Sequence, residues 1–74
     1  MIGRRIRAAR IALGYTQERL ALKTRIPRMI LSGIEMGHLQ PSPEALAQIE
    51  AALGVDPGLL GRPDLGALLD SAAR

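Results

Sequence analysis

Glycine or proline interrupts this chain at positions 14, 27, 37, 43, 54 and 57, and between the interruptions apolar residues recur three and four apart. That spacing marks one buried face on an α-helix, and no stretch alternates apolar and polar residues as a half-buried strand does. An all-α fold follows, built from helices of two or three turns. Ile2, Ile6, Ala9 and Leu13 form the stripe of the first helix, with Gly14 as its stop. Thr16 offers an N-cap to a second helix that buries Leu20 and Ala21 and ends near Lys23. Pro27, tolerated in a first helical turn, opens a third helix with Leu31 and Ile34 inward and Gly37 at its close. Ser42-Pro43-Glu44 supplies a cap, a proline and a carboxylate at the positive helix end, and starts a fourth carrying Leu46, Ile49 and Leu53 up to Gly54. Asp56-Pro57 repeats the pattern for a short fifth helix with Leu59 and Leu60. The expected spans are 3–13, 16–23, 27–36, 43–53 and 57–60, all within one domain over 1–61. Beyond the break at Gly61-Arg62-Pro63, residues 62–74 are expected to form a tail or a short helix capped by Asp64 and carrying Leu65, Leu68 and Leu69.

A chain of 74 residues has room for one small core, and its stability is expected to be modest or shared with a partner copy. With 0 cysteines, a single histidine and no glycine-rich phosphate loop, it offers neither a nucleophile–base pair nor a metal set. No enzyme activity, cofactor or small-molecule substrate is therefore expected. Tyr15 is the sole aromatic residue, which removes the ring platform on which single-stranded bases stack. No apolar run approaches the roughly 20 residues that span a bilayer, and the first residues carry arginines where a signal peptide has an apolar core. A cytoplasmic protein without membrane contact is expected.

Charge is divided between the two halves. Residues 1–37 hold eight bases (Arg4, Arg5, Arg7, Arg10, Arg19, Lys23, Arg25, Arg28) against two acids (Glu18, Glu35), a net of +6. Residues 38–74 hold Arg62 and Arg74 against five acids, a net of −3. A basic half of this kind draws in a polyanion, while the acidic half faces away from it.

Only Thr24-Arg25-Ile26 separates the second and third helices, and so tight a link forces two short helices to cross steeply, the geometry of a helix-turn-helix. On the third helix, 100° per residue sends Leu31 and Ile34 inward and spreads Arg28, Met29, Ser32, Gly33 and Met36 over the opposite arc. A solvated arc would carry Glu, Lys and Gln. This one is small and free of acid except at its edge, which suits a helix lying in the major groove, where carboxylates repel phosphate and bulk holds the helix off the bases.

Thr16-Gln17-Glu18-Arg19-Leu20-Ala21, Ile26, Leu31-Ser32, Ile34-Glu35, Gly37, Pro41-Ser42-Pro43, Leu46, Ile49 and Ala52-Leu53-Gly54-Val55 together resemble the phage repressor and Cro-type helix-turn-helix family over roughly residues 4–60. Arg28 with Ser32-Gly33-Ile34-Glu35 carries a narrower likeness to the controller proteins of restriction-modification systems. The resemblance implies a five-helix domain of a bacterial or phage-encoded regulator, a homodimer that binds double-stranded DNA. It places Arg28, Met29, Ser32 and Gly33 against base edges, and Thr16, Gln17, Arg25, His38 and Gln40 against phosphate. A guanidinium at 28 suits guanine O6 and N7, with phosphate as its other target. Met29 suits a thymine methyl or fills a gap in the packing. Gly33, unfavourable inside a helix by about 1 kcal/mol relative to alanine, either admits DNA close to the backbone or is incidental. The family also commonly joins the positions of Arg10 and Glu35 in a partly buried salt bridge.

Two positions depart from the family pattern. Position 25 is usually glycine because the turn needs a left-handed residue, so Arg25 implies either a strained turn or a different one. Position 27 usually offers a hydroxyl and an N–H to phosphate, and Pro27 offers neither. With Gly33, these departures favour the rival reading, a protein-interaction module of antitoxin or adaptor type. The leucines at 59, 60, 65, 68 and 69 exceed the needs of a small core, and either join two subunits or fold back on their own.

Overall fold

The computed structural model describes residues 2–61, which hold four helices and no strand. They are α1 (Ile2–Ala12), α2 (Gln17–Thr24), α3 (Arg28–Glu35) and α4 (Pro43–Leu53). The expectations for residues 62–74, including Leu65, Leu68 and Leu69, lie outside the described residues.

Each helix begins and ends for a local reason. The Thr16 hydroxyl accepts the Arg19 N–H at 3.1 Å and starts α2. The Ser42 hydroxyl accepts the Ala45 N–H at 3.1 Å, Pro43 follows it in the first turn, and left-handed Gly54 stops α4. Pro27 stands one residue outside α3, as its N-cap with extended backbone, instead of within the first turn, and it gives no side-chain cap. The other end of α3 closes with two reversed bonds, Gly37 N–H to Ile34 O at 3.1 Å and His38 N–H to Gly33 O at 2.9 Å, the pattern of a Schellman motif.

The core draws one fully buried large side chain from every helix: Ile6, Leu20, Leu31 and Ile49. Each stabilises the fold by about 1.5–3 kcal/mol relative to exposure. Ala21, Ile26, Ile34, Leu53 and Leu60 complete the cluster. Of the stripe expected on α1, Ile6 is buried and Ile2 and Ala9 pack against the core. Leu13 lies past the last helical residue and is half exposed, whereas Gly3, Ile6 and Arg10 face inward. At Gly3 the backbones of α1 and α3 nearly touch, and a Cβ there would collide with the Ile34 carbonyl oxygen.

The expected fifth helix at 57–60 is absent, which makes this a four-helix domain over the described residues. The cause is Glu50. Its buried carboxylate accepts the Gly58 N–H on Oε1 at 3.1 Å and the Leu60 N–H on Oε2 at 3.2 Å. Gly58 sits at φ 82°, outside helical backbone, so the two amides turn toward the carboxylate and not toward a preceding carbonyl. Leu60 is 2% exposed, so that of the two readings for the leucines it takes the second and packs into its own subunit.

Candidate nucleic-acid interface

The connection from α2 to α3 is held by Thr24. Its buried hydroxyl donates to Leu20 O at 2.8 Å and accepts the Ile26 N–H at 3.3 Å. Arg25 then turns the chain at φ 59°, ψ 23°, the sole non-glycine residue with positive φ among the described residues. Of the two shapes that arginine allowed here, the chain takes the strained one, at a cost on the order of 1 kcal/mol. Ile26, buried, pulls the turn onto the core and fixes how α3 leaves it.

With Leu31, Ile34 and Glu35 buried, α3 turns Arg28, Met29 and Met36 to solvent and leaves Ser32 and Gly33 half covered. Met29 is 84% exposed, so it fills no gap in the core. The Arg28 guanidinium meets the Glu18 carboxylate at 3.2 Å, and both side chains are more than half exposed. A pair so solvated is worth at most about 1 kcal/mol and gives way easily to a stronger anion. Ser32 donates to Met36 Sδ at 3.9 Å and lines a recess of about 360 Å³ with Arg7, Arg10, Gln17, Glu35 and Met36.

At Gly33 the following loop folds back over the helix. The space above it is filled by Leu39 of its own loop, and a methyl group built on Gly33 would stand 2.8 Å from Leu39 Cδ1 and 3.2 Å from Cγ. The glycine leaves room for that leucine, whose flexible end would have to shift to admit a Cβ. Leu39 was not among the residues singled out from sequence. The signal for it lay in Gly37, since a chain that reverses there returns over the last turn of the helix.

Among the phosphate candidates, the hydroxyl of Thr16 is occupied by its cap, and the Gln17 side-chain amide donates to Glu35 Oε1 at 3.2 Å. Arg25, His38 and Gln40 are exposed. Arg4 and Arg7 are exposed as well, whereas the Arg5 guanidinium donates to Leu60 O at 2.9 Å and ties α1 to the turn after α4. Arg10 reaches Glu35 through Nε at 2.8 Å and Nη2 at 3.0 Å, and its Nη1 donates to Tyr15 O at 2.8 Å. That network holds α1, the loop before α2 and the end of α3 in one register.

Two short helices crossing at a fixed turn, the second with a cationic, acid-free outer face, define a helix-turn-helix reading head. A family model described as helix-turn-helix matches residues 6–60, and the chain belongs to the phage repressor/Cro-type helix-turn-helix family, a family of DNA-binding regulatory domains. Comparison with curated proteins and with solved structures gave no match. No helix among the described residues is long and apolar enough to cross a membrane.

Proposed function

We propose that this protein is a sequence-specific transcriptional regulator of the cytoplasm that binds double-stranded DNA as a homodimer. In this reading α3 lies in the major groove of each half of a pseudo-palindromic operator, the two reading heads about 34–36 Å apart. Arg28 pairs with guanine O6 and N7, Met29 meets a thymine methyl, and the Ser32 hydroxyl reaches a base edge beside them. Thr16, Gln17, Arg25, His38 and Gln40 flank the groove and position the domain on phosphate, Thr16 and Gln17 through main-chain N–H groups at the start of α2. The observation that carries this reading is the outward arc of α3, where Arg28 and Met29 are exposed and residues 28, 29, 32, 33 and 36 include no acid.

A mobility-shift titration on random duplex DNA tests it. Binding at low salt that weakens steeply as salt rises supports the regulator, because counterion release sets that slope. Failure to shift duplex DNA at low salt overturns it. The second reading, a protein-interaction module, is favoured by Leu22, which is 81% exposed and borders an apolar groove with Ala21, Ile26 and Pro27 between α2 and α3.

A further inference from the structure

Resting on the DNA-binding reading, we infer that Leu39, a loop residue, is a base-reading side chain that supplies the apolar contact missing at position 33. Met29, Gly33 and Met36 follow one another at i, i+4 and i+7 and so share one narrow arc on the outer side of α3. The arc is apolar at both ends, with Met29 84% and Met36 65% exposed, and it has no side chain in the middle. Leu39 fills that gap. Its branched end lies where a side chain on residue 33 would begin, yet the residue keeps 44% of its surface open.

The placement is fixed by the backbone and does not depend on a flexible loop tip. Both His38 and Leu39 donate their N–H groups to Gly33 O, at 2.9 and 3.2 Å, so the chain is pinned against the helix at the very residue Leu39 covers. The glycine at 33 leaves this seat open, since a Cβ would oblige the end of the leucine to shift. The composite surface is apolar along its centre and cationic beside it, with Arg28 on the same helix and Arg7 across the recess shared with Ser32 and Met36. In the major groove the one apolar group a base pair presents is the thymine C5-methyl, and Arg7 at the edge of the surface matches a flanking phosphate while Arg28 meets its guanine. Leu39 therefore selects for thymine at a position of each half-site that no residue of α3 reaches on its own.

The test uses the intact chain and a duplex consensus selected by it from a randomised pool. Each thymine of that duplex is replaced in turn by deoxyuridine, which deletes the methyl and changes nothing else. Wild-type protein is expected to lose about fourfold in affinity at each of two thymines per half-site, one met by Met29 and one by Leu39, the worth of one apolar carbon removed from water in each case. Leu39→Ala is expected to keep the loss at the Met29 thymine and to bind the thymine and deoxyuridine duplexes equally at the other, with its helical circular dichroism and its salt slope unchanged, while Leu39→Met restores the preference there. Equal sensitivity in wild type and Leu39→Ala, or none in wild type, overturns the inference and leaves the DNA-binding reading intact. Failure of the wild type to select or bind any duplex overturns both.

Discussion

Arg10 and Glu35 face each other edge to edge, Nε to Oε2 and Nη2 to Oε1 at 2.8 and 3.0 Å, with the Glu35 side chain 1% exposed. The bidentate geometry matters because both charges have left water, and each now depends on the other for its solvation. Neither side chain belongs to the apolar cluster, yet together they close the seam between the first and third helices.

Arg10→Met strands the Glu35 carboxylate in the protein interior, for which a loss of about 3–5 kcal/mol is expected. Thermal unfolding followed by circular dichroism should show a midpoint lower by 10 °C or more, at about 4–8 °C per kcal/mol for a domain of this size. The double variant Arg10→Met/Glu35→Leu removes both charges and should recover most of the loss. A melting curve for Arg10→Met that superimposes on the wild type refutes the clamp.

Gly3→Ala adds a single carbon at the point where two backbones meet. Its Cβ would press on a carbonyl oxygen, which has no rotamer by which to escape. Overpacking of this kind costs about 1–3 kcal/mol, offset only in part by the better helix propensity of alanine. Urea titration should give a lower midpoint at unchanged slope; a midpoint equal to or above that of the wild type contradicts the close approach.

Arg25→Gly relaxes the left-handed turn and should raise stability by about 1 kcal/mol. If Arg25 also meets phosphate, the same change lowers DNA affinity evenly across sequences and reduces the salt slope by about one. The two effects run in opposite directions and are read in separate experiments, unfolding for the first and a salt series for the second. A variant that is no more stable removes the strain argument.

Arg28→Ala should leave stability within about 1 kcal/mol, since the Glu18 pair it breaks is exposed on both sides. On DNA it should relax the preference at one guanine by about 1–3 kcal/mol and leave the other positions of the site unchanged. Selection from a random pool with both proteins separates this from a phosphate contact, whose loss weakens all sequences alike.

The frame of the fold was legible because its signals are local. Thr16, Ser42 with Pro43, and Gly54 announced helix ends that hydrogen bonds of the expected kind supply. The apolar spacing placed Ile6, Leu20, Leu31 and Ile49 inside, where they lie. What was not legible depends on contacts beyond a single helical turn. Asp56-Pro57 reads like Ser42-Pro43, but Glu50 claims the amides that follow, and nothing local reveals a carboxylate eight residues away. Leu13 fits the stripe of α1 by spacing alone, but the helix ends at Ala12 and leaves it half exposed. Within the reading head, the exposure of Arg28 and Met29 followed from helical geometry. The cover over Gly33 required knowing where the next loop goes.

The four innermost side chains have a consequence for control. Because every helix lends one of them, none can be released while the others hold, and the domain should melt in a single cooperative step. α4 carries none of the proposed DNA contacts, yet prying it loose would dissolve the recognition surface as surely as blocking the groove itself. On the proposed reading, anything that loosens α4 would cost the protein its DNA without touching the groove.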